Sequence, residues 1–204
     1  YRLEDGSLLR TAKIPNSTFN IPGGPAGGIQ KISWEGELLW DYMVADDQRL
    51  AHHDIEPMPN GNVLVVAWEL KSRDEAIVAG RNPATIEHNA LWPEMVMEIQ
   101  PVGKTGGEVV WEWRLWDHLV QSLDKSKSNF GQPAEHPELI DLNYVDRPIA
   151  DWIHMNSIDY NPQLDQILLC GRTFDEIWVI DHSTTTAEAA KHSGGRYGHG
   201  GDML

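Results

Sequence analysis

Runs of about six β-prone residues, each closed by Gly, Asn, Asp or Pro, recur along nearly the whole sequence. A chain that must turn so often has no room for long helices, and its core has to come from short strands lying side by side. Val63-Leu64-Val65-Val66-Ala67-Trp68, entered through the turn Asn60-Gly61-Asn62, is apolar throughout and reads as a strand covered on both faces. Ile29-Gln30-Lys31-Ile32-Ser33-Trp34 alternates instead, and turns through Glu35-Gly36-Glu37 into Leu38-Leu39-Trp40-Asp41-Tyr42, a hairpin with period-two flanks. Leu8-Leu9-Arg10-Thr11 behind Glu4-Asp5-Gly6 is a further short strand.

The pattern repeats. Met95–Ile99, a Gly-rich turn and Val109–Trp113 restate the earlier hairpin. His154–Ile158, a turn at Asn161-Pro162-Gln163 and Ile167–Cys170 restate the stretch from His53 to Val66. The repeat is irregular, with insertions over 71–93 and 120–150. Antiparallel four-stranded modules joined by hairpins read as β-propeller blades, whereas a sandwich or jelly roll has no reason to repeat a hairpin followed by a His-led strand pair. The expected fold is all-β, a partial propeller of about three to four blades at roughly 45–60 residues each, with residues 1–204 forming one incomplete domain. An isolated arc of blades leaves edges uncovered and is not expected to be stable by itself. Helix is confined to Thr185-x-x-Glu188, a capping-box pattern ahead of Ala189–His192, and to a second short segment from Asp117 to about Lys125.

Charge narrows the partners. Lys and Arg total 16 against 31 Asp and Glu, a net charge of −15, and no basic stripe interrupts it. Such a surface repels nucleic acid and anionic membranes. The apolar share of 41% suffices for a packed core and excludes a disordered solvating tail. No apolar run approaches the ~18 residues of a membrane span. Cys170 is the single cysteine, so an internal disulfide and a cysteine-based zinc site are both impossible.

Three polar clusters carry chemistry: His52-His53-Asp54 before one strand pair, Asp151 to Ser157 in the equivalent place one repeat later, and Arg172 just past the strand 167–170. Residues two apart on a strand share a face, so His154 and Asn156 are expected to look into the same space, with Arg172 returning beside them after two strands of about eight residues and a turn. Imidazole, amide and guanidinium together form a donor set for a tetrahedral oxyanion. The bland readings stand beside this one: a His at a strand start is often a turn residue, Arg172 can simply pair with Asp175 or Glu176, and His52 reads as structural. Asp54 and Glu56 read as turn or supporting groups, and His182, His192 and His199 as loop residues. Gly194 to Gly201 lacks the strand–helix setting and lysine of a phosphate loop, and no Gly-x-Ser-x-Gly elbow occurs. No cofactor and no metal are expected, although a metal-dependent hydrolase with His53 and His154 as ligands is a third, weaker alternative.

His53-Asp54-Ile55 with Pro59-Asn60-Gly61-Asn62-Val63-Leu64, and Trp152-x-His154-x-Asn156-Ser157 followed by a turn and Arg172, resemble the arylsulfotransferase family. Glu176-Ile177-Trp178-Val179-Ile180-Asp181 is similar to the strand that closes the same segment there, so the resemblance covers most of 1–182. It implies about half of a six-bladed propeller, a fragment without its N-terminal and C-terminal blades, and a periplasmic or secreted location. It also implies transfer of a sulfuryl group from a phenolic sulfate ester to a phenol acceptor, without a nucleotide donor, through a sulfohistidine. His53 then matches one active-site histidine, and His154, Asn156 and Arg172 the group that holds the sulfate. The nucleophilic histidine of that family belongs to a later blade and matches nothing here, so the remainder of the propeller, as another segment or chain, is an expected partner. The alternative is a non-catalytic propeller that binds a sulfated or aromatic ligand or a protein.

Overall fold

The computed structural model describes residues 1–14, 19 and 24–204. Strands β1 (Leu8–Lys13), β2 (Gly27–Ile32) and β3 (Leu38–Met43) form a first antiparallel sheet. β4 (Arg49–Pro57) and β5 (Val63–Glu69) open a second, and an excursion through β6 (Lys71–Ser72), helix α1 (Arg73–Ala79) and β7 (Ala90–Leu91) leads to its other strands, β8 (Glu94–Val102) and β9 (Gly106–Arg114). The chain then passes through the parallel pair β10 (Leu119–Val120) and β11 (Ile140–Asp141). A third sheet follows from β12 (Met155–Asn161), β13 (Gln166–Gly171) and β14 (Glu176–Asp181), and helix α2 (Thr186–Ala189) comes last. The protein is mostly β, in several antiparallel sheets of which none is closed among the described residues. Four strands occur in the second sheet, β4-β5-β8-β9, while the first and third have three each.

Alternation along β5 explains how the sheets stack. Val63, Val65 and Ala67 point to one side, where they meet Leu9, Ile29 and Trp40 of the first sheet. Leu64 and Val66 point to the other, toward Ile158, Ile167, Leu169 and Trp178 of the third. The middle sheet is buried on both faces, which is why 63–68 carries no polar residue. The three sheets thus pack face to face in chain order. Trp40 Nε1 donates to Gly106 O at 2.8 Å, tying β3 to β9, and Ile158 N donates to Asp54 Oδ2 at 3.2 Å, tying β12 to β4.

The capping box at Thr185 and Glu188 forms and opens α2. A second one, Ser72 with Glu75, opens α1, and Gly80 closes it at φ +103°. The helix expected over 117–125 is absent. Leu115–Asp117 make a single 3-10 turn, because His118 is drawn inward: its Nδ1 meets Asp202 Oδ1 at 2.7 Å and its Nε2 meets Ala189 O at 2.8 Å. Those contacts outweigh local helix propensity.

Candidate functional site

Both candidate histidines sit where the ladder breaks. Between the pairs Ala51↔Ala67 and Ile55↔Val65, residues His52, His53 and Asp54 face Val66 alone, so the strand bulges. In the third sheet His154 lies just ahead of β12, and the register shifts again between Met155 and Ser157. Each bulge is accompanied by a left-handed residue: His53 has φ +48° and His154 φ +54°. Left-handed backbone costs a side chain about 1–2 kcal/mol, and it persists only where the surroundings enforce it.

The surroundings do enforce it. His53 N donates to Gly24 O at 2.8 Å, and a Cβ on Gly24 would lie 2.0 Å from His53 Cε1, so glycine is what admits the ring. His52 is fully buried and stacks on Trp68, ring centroids 3.8 Å apart and 10° from parallel. Trp68 Nε1 donates to Asp151 Oδ1 at 2.9 Å, and the other oxygen of Asp151 takes a close hydrogen bond from His154 Nδ1. Glu94, also fully buried, accepts from Met155 N at 2.8 Å and meets His52 Nε2 at 2.7 Å. His52 Nδ1 lies 3.0 Å from His53 Nδ1. The result is two imidazoles from different sheets in contact, His53 and His154, with centroids 4.7 Å apart at 73°.

Their proton affinities diverge. Burial pushes His53 down to about 4, and His52, His154 and Arg172 push the same way against Asp151. The hydrogen bond that His154 donates to Asp151 lifts it above the ordinary imidazole value, overcoming burial and the nearby Arg172. Burial likewise takes His52 to about 3 and raises Glu94 well above the carboxylate range. The His52–Glu94 contact is therefore a hydrogen bond near neutral pH, not an ion pair of two charged groups.

Arg172 opens a 3-10 turn after β13, and Thr173 N in that turn donates to Ile153 O at 3.1 Å, which seats it beside the residue preceding His154. Its charge reaches both histidines. It forms no ion pair with Asp175 or Glu176 among the described residues. Asn156 is the extra residue of the second bulge and is exposed, so the strand is irregular where the period-two argument set it beside His154. Asp54 supports Ile55 N and Ile158 N, and Glu56 shares a hydrogen bond with Tyr1.

His52, Glu94, Trp68 and Asp151 complete the site around the residues that the motifs marked. Asp151 lies within the cluster the sequence marked, three residues before His154, whereas Glu94 carried no local signal, its partner His52 being 42 residues earlier. His182 is more than a loop residue, since it bridges Asp165 at 2.7 Å and Glu98 at 3.0 Å. Among the described residues, the group whose ligand atoms come close enough to share a metal ion is His118, His192 and Asp202. Asp202 already accepts from both rings there, and the far nitrogen of His118 is taken by Ala189 O. A groove of about 700 Å³ bordered by Arg2, Lys31, Trp40 and Pro57 lies at the other end of β4 and is lined by none of the site residues. No helix among the described residues is long and apolar enough to cross a membrane.

The family model of arylsulfotransferase (ASST) matches residues 2–188. Searches of curated proteins and of solved structures give no match.

Proposed function

The chain belongs to the arylsulfotransferase family, and from that premise we propose that it moves a sulfuryl group from a phenolic sulfate ester to a phenol acceptor, without a nucleotide donor and through a sulfohistidine. The observation that carries this reading is the contact between two histidines whose proton affinities are driven apart, with one guanidinium in reach of both. Pairs separated in this way take opposite acid and base duties. His154, held by Asp151, supplies the proton to the departing phenolate oxygen as the S–O bond breaks. His53, kept neutral, takes the proton of the acceptor hydroxyl as the new S–O bond forms. Arg172 holds two sulfate oxygens with its planar fork, and Asn156 donates to the sulfate from the rim.

Sulfuryl transfer, like phosphoryl transfer, asks mainly for placement and for fixed donors aimed at developing charge. On this reading the nucleophile that carries the sulfuryl group belongs to a later blade, as the family resemblance implies. Residues 1–204 are then about half of a six-bladed propeller, and the three sheets stacked in chain order support that arrangement. Residence in the periplasm or outside the cell goes with the family reading.

The test is the full-length protein with para-nitrophenyl sulfate and added phenol, following phenolate release and phenyl sulfate formation. Release that depends on His154 and Arg172 is the expected result. Binding of the ester with no release would instead favour a non-catalytic ligand-binding propeller, and release abolished by a chelator would favour the metal-dependent hydrolase.

A further inference from the structure

We propose that His53, His52 and Glu94 form a proton relay that carries the proton taken from the acceptor phenol inward, from His53 Nε2 to Glu94 Oε2. The proposal rests on the sulfuryl-transfer reading for the identity of the proton's source, while the relay itself is a property of three side chains.

Each contact in the chain has room for one hydrogen. His53 Nδ1 faces His52 Nδ1 at 3.0 Å, and His52 Nε2 faces Glu94 Oε2 at 2.7 Å. Satisfying both contacts leaves two arrangements. In the first, Glu94 is a carboxylate accepting from His52 Nε2–H, His52 Nδ1 accepts from His53 Nδ1–H, and His53 Nε2 bears a lone pair. In the second, Glu94 is a neutral acid donating to His52 Nε2, His52 Nδ1–H donates to His53 Nδ1, and His53 Nε2 bears a hydrogen. The second holds one proton more than the first, taken up at His53 Nε2 and gained at Glu94 by the shift along the chain, and neither requires a charged imidazole.

The step balances. The acceptor O–H bond breaks, its hydrogen joins His53 Nε2, the Nδ1 hydrogen of His53 passes to His52 Nδ1, and the Nε2 hydrogen of His52 passes to Glu94. The electron pair left on the acceptor oxygen forms the new S–O bond. Returning the proton reverses the sequence.

Physical need points the same way. An imidazolium at His53 would stand against His154 and Arg172, two cationic neighbours, with only Asp151 to offset them. A carboxylate at Glu94 is fully buried, near Asp151, and eased by His52, Met155 N–H and His154. Sending the proton inward removes both penalties at once. The directions agree with this, since burial lowers both imidazoles and raises the carboxyl. The wire is also rigid: His52 is pinned face to face on Trp68, and Glu94 is fixed by Met155 N.

The competing role for Glu94 is structural, as the tether between β8 and the start of β12. Ring-nitrogen NMR on the full-length protein separates the two. In the parent, His53 is expected to switch from the Nε2–H to the Nδ1–H tautomer as pH rises, with the same midpoint as the Glu94 carboxyl carbon. In Glu94→Gln, whose amide can neither take up nor release a proton, His53 should keep one tautomer at every pH above its own protonation near 4. Turnover should fall by about 10²-fold, a typical share for a general base, and should become more sensitive to the acidity of the acceptor phenol. A parent whose His53 keeps one tautomer while Glu94 titrates overturns the relay, and that result needs no variant to fold. A parent that transfers no sulfuryl group but shows the linked switch leaves the relay standing and removes the proposed reaction instead.

Discussion

His53 and His154 reach each other from separate sheets, edge to face at 4.7 Å, and the same carboxylate, Asp151, acts on both. It hydrogen-bonds one ring and only partly offsets the positive surroundings of the other. A contact between identical side chains thereby becomes a pair of unlike proton carriers.

That difference is directly measurable. Titration of the ring signals should give His53 a midpoint near 4 and His154 one above the ordinary imidazole value of about 6.5. Asp151→Asn should bring His154 down, because it removes the charged acceptor, and should lower kcat more than it changes KM. Unchanged titration of His154 in that variant would contradict the assignment.

Arg172 should matter through geometry as well as charge. Arg172→Ala is expected to cost about 10²–10³-fold in turnover of an aryl sulfate, the usual loss for one charge-stabilising donor. Arg172→Lys should recover only part, since an ammonium cannot bridge two sulfate oxygens in one plane. Full activity in the lysine variant would argue that the guanidinium makes no two-pronged contact.

Gly24 is expected to be intolerant of any side chain. Its φ is +67°, and a Cβ would intrude on the His53 ring at 2.0 Å. Gly24→Ala should therefore displace His53, seen as a shift of its ring resonances, and destabilise the fold by more than about 1 kcal/mol. An alanine variant with parent-like spectra and urea midpoint would show that the 24–26 segment yields easily.

Stability should peak near pH 6.5 and fall on either side. His52 and His53 bind protons in the unfolded chain near 6.5 but in the folded one only near 3 and 4, so their contribution is present above 6.5 and is lost as pH falls toward those values. Glu98 adds to the acid loss: against burial, hydrogen bonds from His182, Asn62 and Asn60 hold it at about 2. His154 and His182 are raised, so what they contribute is present below 6.5 and is lost as pH climbs through their folded values. Urea midpoints from pH 4 to 9 check this, and a flat profile would contradict it.

Strand positions were legible because alternation and turn residues are local properties. The unbroken run 63–68 even announced that its sheet is covered on both sides. What period-two reasoning missed is the pair of bulges, each accompanied by a left-handed histidine, where strict alternation no longer holds. Glu94 was out of reach for another reason, since its partner His52 is 42 residues earlier and no local pattern links them. The false helix at 117–125 has the same origin: His118 answers to Asp202 and Ala189 from the far end of the chain. Helix α1 was an omission of a different sort, because Ser72-x-x-Glu75 carries the same capping signature that located α2.

The left-handed backbone at His53 and His154 sets folding against chemistry at two points. Glycine is the residue that would relax both sites, as it adopts positive φ without steric cost. The substitutions that most ease the polypeptide are thus the ones that delete the imidazoles, and a screen for thermal robustness alone would drift toward a sturdier, silent protein. A glycine at position 154 would also leave a vacancy the size of one ring beside Asp151, open to imidazole supplied in the buffer.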